Sequence, residues 1–369
     1  MLLWSPLKDT PSVSCNLKQQ KRIMNFLIST ITLLLFFSCD GQKQKTVEFK
    51  EPKVYTSADI VTSSLIDKNG DLWFGTSTEG LYRFDGEKFS NFNEDDGICT
   101  NQIWNIIEDD KGIIWLATDK GLCKYNGKVF TQISLPYIDT SSEWYKNIYP
   151  TINPNQANSI IQDKNGIFWI GISGGGAYKY DGTTFQNILA EKGRKYEDSL
   201  HHNVIQSILK DNNGNIWLAS MSNGGITKYD GETFQEFKTE SGLSDNMVRY
   251  LYQDQEGNIW IGTNGNRNGG LDKFDGKNFR NFNESNGLCS NNVAVIFQSS
   301  DGKIWLGSDR ETLCYFENGN FKSIDKLSGI SIRTIIEDKD GNMWFGGRKG
   351  NLWKYDGEKL TDLTQLKNE

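Results

Sequence analysis

The chain has 369 residues, of which 24% are charged and 12% aromatic, with a formal net charge of -7. An acidic chain whose lysines are scattered, with no basic block, is not built to bind nucleic acid. Its two histidines and six cysteines fall in no metal-ligand spacing, so no metal and no cofactor is expected.

The first 39 residues differ in composition from the rest. Lys18, Lys21 and Arg22 precede an apolar run from Ile23 to Phe37, and Ser38-Cys39 follows. The run is short for a membrane span of about 20 residues and has the length of a signal-peptide core. A cysteine after a small residue at its end reads as a lipoprotein cleavage site, with Cys39 carrying the lipid. A standard signal peptide with an incidental cysteine, or an uncleaved anchor, stays open. Met24 is an alternative start. Residues 40–57 read as a polar tether, in which Val47 to Lys50 could add an outer strand to the last blade.

From residue 58 to 369 one cassette comes round seven times. Its core is Asp-x-x-Gly-x-Ile-Trp-x-Gly-Thr, followed by a Gly-rich link and Gly-Leu-x-Lys-Tyr-Asp-Gly. The central tryptophans are Trp73, Trp115, Trp169, Trp217, Trp260, Trp305 and Trp344. Each copy of about 45 residues offers four short β-rich segments separated by turn residues, and none offers a helical period. The reading is all-β: a seven-bladed β-propeller with four antiparallel strands per blade. Each Trp is followed two residues on by Gly or Ala, as in Trp73 and Gly75, which suits close packing of one blade on the next. All seven rings are read as structural. Asp67-Lys68-Asn69-Gly70 begins like a calcium loop, but the distal acidic ligand is missing, with Thr78 in its place. The seven such turns are read as hairpins.

Asn258-Ile259-Trp260-Ile261-Gly262-Thr263 and Gly80-Leu81-Tyr82-Arg83-Phe84-Asp85-Gly86 resemble the two-component regulator propeller repeat. The resemblance covers roughly residues 58 to 363. It implies an extracytoplasmic sensor or binding propeller of the kind found in bacterial hybrid histidine kinases. The additional modules of those sensors have no counterpart in this sequence.

Four cysteines remain beyond Cys15 and Cys39, and they occupy matching places in two copies. Cys99 and Cys289 precede the second and sixth blades, and Cys123 and Cys314 stand in their third segments. Disulfides Cys99–Cys123 and Cys289–Cys314 are expected in an oxidising compartment. The fifth copy has Ser244 and Asp272 at those positions.

Two links between blades are enlarged, and they flank blade 3. Residues 134 to 156 carry Tyr137, Trp144, Tyr145 and Tyr149. Residues 189 to 202 carry Tyr196, His201 and His202. With Arg267, Arg310 and Arg348 from the Gly/Asn/Arg loops they are expected on one face, at the channel mouth. Rings beside planar polar groups suit a glycan. The leading expectation is a monomeric, lipid-anchored binding propeller of the cell envelope that recognises a glycan or an extracytoplasmic protein. Two alternatives stand beside it. One is a polysaccharide or cyclic-ester lyase using His201 or His202 with Tyr145 or Tyr196. The other is a protein-interaction scaffold.

Overall fold

Seven sheets of four strands follow one another along the chain, and in every sheet the strands are neighbours in sequence order. The computed structural model describes residues 59–136, 153, 155–192, 194–195, 201–264, 269–309 and 313–364. Blade 1 consists of Val61–Ile66, Leu72–Thr76, Leu81–Phe84 and Phe89–Phe92. The inner strands of blades 2 to 7 are Ile103–Glu108, Ala157–Gln162, Ile205–Lys210, Val248–Gln253, Val293–Gln298 and Ile332–Glu337. Blade 7 supplies its own outer strand, Leu360–Asp362, so no strand from the tether is needed there.

Why the cassette needs both Asp and Trp is visible in its hydrogen bonds. Asp254 Oδ1 accepts from the turn N–H groups of Glu256 and Asn258, at 3.1 and 2.8 Å. Asp254 Oδ2 accepts from the indole N–H of Trp260 at 2.8 Å. One carboxylate thus closes the turn and satisfies a buried donor that would otherwise be costly. The same bond joins Trp73 to Asp67, Trp115 to Asp109, Trp169 to Asp163, Trp217 to Asp211 and Trp344 to Asp338. In blade 6 the Ser299 hydroxyl takes over at 3.0 Å. These turns are structural, in agreement with the sequence. The basic residue across the strand pair caps the indole face, as Lys273 does 5.1 Å from the Trp260 ring.

The core is divided among seven seams, one between each pair of neighbouring blades. Each central Trp packs on the inner strand of the blade that follows. Trp73 meets Ile103 and Ile106, Trp260 meets Val293 and Ile296, and Trp305 meets Ile332 and Ile335. The seventh seam, Trp344 with Val61 and Phe74, closes the ring. The Ser64 and Thr334 hydroxyls, 2.5 Å apart, reinforce that closure. All seven rings are at most 6% exposed. The small residue after each Trp has the expected purpose. A Cβ on Gly346 would lie 2.6 Å from a Val61 methyl, and one on Gly75 would lie 2.7 Å from an Ile103 methyl.

Cys99 and Cys123 form a disulfide with Cα atoms 5.9 Å apart. The second expected bridge is not formed, and here the structure corrects the sequence. Cys289 and Cys314 are free thiols. They meet side by side, and the contact with Cys314 holds the Cys289 thiol below its ordinary range. Equivalent positions bring the sulfurs together in both blades, and nothing in the structure explains why only the blade 2 pair is bonded.

Blade 5 builds a polar staple at the same place. Ser244 donates to Asp272 Oδ2 from its N–H and its hydroxyl, at 3.0 and 2.9 Å, and Asn281 Nδ2 donates to Oδ1 at 2.6 Å. Asp272 is fully buried, and burial pushes its pKa up to about 6 despite these donors. A folded-state pKa above the unfolded value means a stability contribution present below about pH 4 and lost as pH rises through 6. About two units correspond to about 3 kcal/mol. Asp272→Asn is therefore expected to gain about that much over the parent between pH 4 and pH 8. Denaturant melts at both pH values check it, and an equal difference at the two would contradict it.

Candidate functional site

All seven inner strands carry the same irregularity. Pairing with the second strand runs Val61 to Thr76 and then Ser63 to Gly75, so Thr62 is bulged out of the ladder. The slip recurs in every blade. A bulged residue loses its pairing and its side chain is re-aimed. The seven bulged residues are Thr62, Trp104, Asn158, Gln206, Arg249, Ala294 and Arg333. All of them line one central cavity of about 370 Å³, within the size range of small-molecule sites.

Two members of this ring donate to the backbone of the blade that follows. Thr62 Oγ1 donates to Ile103 O at 2.5 Å, and Asn158 Nδ2 donates to Ile205 O at 3.1 Å. The Trp104 indole N–H is buried and has no partner among the described residues.

The channel mouth lies at the start of the inner strands, where the residue after each second strand hydrogen-bonds back. Ser77 N donates to Ile60 O, Asn264 N to Met247 O, and Arg348 N to Ser331 O, at 2.9, 2.9 and 3.3 Å. Asp309 occupies this position in blade 6. Its carboxylate pairs with Arg249 Nη2 and with Arg333 Nε, while Arg249 Nη1 donates to Asn292 Oδ1 at 2.6 Å. Burial lowers the Arg333 pKa from its ordinary value. Asp309 opposes that shift, and the neighbouring Arg249 and Arg348 add to it.

Of the residues singled out from sequence, Arg348 is at this mouth and exposed, bridging to Ile60. Tyr137, Trp144, Tyr145, Tyr149, Tyr196, Arg267, Arg310 and Cys39 lie outside the described residues. His201–His202 pairs with Arg194–Lys195 as a short hairpin in the second enlarged link. Both enlarged links end at the mouth: Asn153 Nδ2 donates to Asp119 O at 2.7 Å, and Val204 bridges Ser173.

Trp104, Arg249, Arg333 and Asp309 are absent from the sequence-based set. A signal for three of them was present. With the seven copies aligned, the bulge column varies in polarity, while the preceding column is apolar throughout: Val61, Ile103, Ala157, Ile205, Val248, Val293 and Ile332.

Elsewhere, a groove of about 320 Å³ at the rim of the blade 4/5 seam is lined by Asp211, Trp217 and Phe279 among others. A similar groove at the blade 6/7 seam is lined by Trp305 and Tyr355. Both repeat with the blade period and use residues already committed to turn and seam.

The fold defines a class: seven-bladed β-propellers with a ligand-sized central channel. Within it, six segments match the model of the two component regulator propeller: residues 56–78, 97–120, 199–222, 242–265, 287–310 and 326–349. Each match spans the first two strands of one blade, and blade 3, between the enlarged links, has none. Among solved structures, the chain is similar to the extracellular domain of a putative hybrid two component system from B. thetaiotaomicron. The TM-score is 0.63 at 21% identity, over 82% of this chain and 39% of that domain. This chain thus spans about two fifths of that relative. It is also similar to a catalytically inactive virginiamycin B lyase from Staphylococcus aureus with quinupristin. There the TM-score is 0.61 at 11% identity, over 85% of this chain and 98% of the lyase. These likenesses are of fold. A search of curated proteins finds no match.

Proposed function

We propose that this chain is a lipid-anchored, extracytoplasmic binding propeller that recognises a glycan or a partner protein at its channel mouth. The observation that carries the reading is the ring of seven bulged residues. A repeat that needed only to fold could fill this column with one residue type, yet it holds Thr, Trp, Asn, Gln, Arg, Ala and Arg. The Cys99–Cys123 disulfide supports an oxidising compartment. The extracellular origin of the two component system relative supports the same address.

For the anchor, Cys39→Ser is expected to release the protein from membranes. Retention of the variant in the membrane fraction at high salt would mean that something else holds it.

For the site, a glycan array on the full chain identifies the ligand. Trp144→Ala is then expected to weaken binding by about 1–3 kcal/mol without loss of fold, the scale of an aromatic anchor. Unchanged affinity for the identified ligand would remove Trp144 from the site. A lyase is the second reading, favoured by the fold shared with virginiamycin B lyase. His201→Ala separates the two, since it leaves binding intact under the first and abolishes turnover under the second.

A further inference from the structure

Two arginines share one carboxylate, Asp309, on the side of the channel mouth formed by blades 5 to 7, and Arg348 stands near Arg333. Arg249 is committed on both sides, to Asp309 and to Asn292. Arg333 reaches Asp309 through Nε alone, and its two terminal nitrogens have no partner among the described residues. Arg348 is exposed, and its guanidinium likewise has none there. Among the described residues, Asp59 in blade 1 and Asp119 in blade 2 also stand near the mouth, and Asp59 Oδ1 accepts from Ser77 and Thr78. The charges that Arg333 feels most are Asp309 in its favour, with Arg249 and Arg348 against.

A guanidinium held beside two others, partly desolvated and sharing one carboxylate, gains from a further anion. Arg is also the side chain whose planar fork suits an oxyanion. Trp104, also on the ring, offers an apolar face and an N–H that is buried without a partner among the described residues. An aromatic wall and an unpartnered donor lining the same cavity as an arginine fork fit a small polar ring that bears an acid group. The cavity of about 370 Å³ has the size for such a ligand and excludes a folded partner.

We propose that the channel binds a small ligand through an oxyanion, the carboxylate of an acidic sugar or a sulfate or phosphate ester. Arg333 is the principal group, with Arg249 and Arg348 beside it, and Trp104 donates to a further ligand oxygen. The inference rests on the binding reading above and gives that site its ligand chemistry.

Calorimetric titration of the full chain tests it, with glucuronate, glucose, inorganic sulfate and inorganic phosphate as probes. At least one of the three anions is expected to bind more tightly than glucose. Preference for glucuronate assigns the carboxylate, and preference for sulfate or phosphate assigns the ester. Arg333→Gln is expected to weaken that binding by about tenfold or more, the scale of a charged hydrogen bond. Arg280→Gln, on the outer strand of blade 5, is expected to change nothing. Asp309→Asn removes the competing carboxylate and is expected to tighten binding several-fold, which a purely structural ion pair would not do. This variant also carries the test if Arg333→Gln does not fold. Glucose binding as tightly as the anions, no anion binding, full affinity in Arg333→Gln, or unchanged or weaker binding in Asp309→Asn would each overturn the proposal. A neutral glycan captured at the mouth while all anions are ignored would overturn this inference and leave the binding reading standing.

Discussion

Trp260→Ala is expected to cost about 3–5 kcal/mol, the range for removing a buried aromatic. Three losses combine in it. The indole fills the seam between blades 5 and 6 and stacks on Phe282 with ring centroids 6.0 Å apart. Its N–H is the donor that Asp254 Oδ2 accepts. Lys273 loses the face it covers. Trp260→Phe keeps part of the ring but not the N–H, so it should fall between parent and alanine. Equilibrium unfolding in urea provides the measurement. A loss below about 1 kcal/mol for Trp260→Ala would show that the seams do not carry the stability assigned to them.

Removal of the Cys99–Cys123 bridge by a double serine substitution is the second large effect. The bond spans 24 residues, from the approach to blade 2 into its third strand. Freeing a loop of that length in the unfolded chain should cost about 2–4 kcal/mol. Blade 6 is the internal reference. Its matching cysteines are free thiols, so Cys289→Ser should change stability far less and show no dependence on reductant. Equal losses at the two places would contradict the difference between the blades.

The fold was legible because its determinants are local and repeated. Trp260 with Asp254 and Gly262 reads the same way as Trp73 with Asp67 and Gly75, and seven concordant copies leave little choice of architecture. Seam packing could be inferred from a ring beside a small residue. The channel was not legible by the same means, because period-two alternation assumes a regular ladder. It gives Arg249 and Leu251 one face of a strand, and Arg333 and Ile335 another such pair. The bulge breaks that rule at the position that faces the channel. Asp309 was hidden for a different reason: it follows a second strand and meets its arginines only when blades 5, 6 and 7 are curled into a ring. The cysteines of blades 2 and 6 show the limit of positional analogy. Equivalent places bring sulfurs together in both, and only one pair is bonded.

The central claim is that ligand enters at the channel mouth. Hydrogen exchange of the full chain, with and without the ligand found on the array, tests it most directly. Protection is expected at the first residues of the inner strands, 61–64, 103–106, 248–251 and 332–335, with the outer strands Phe89–Phe92 and Phe279–Phe282 unchanged. Protection confined to outer strands, with the inner strands unaffected by a ligand that binds, would contradict the account.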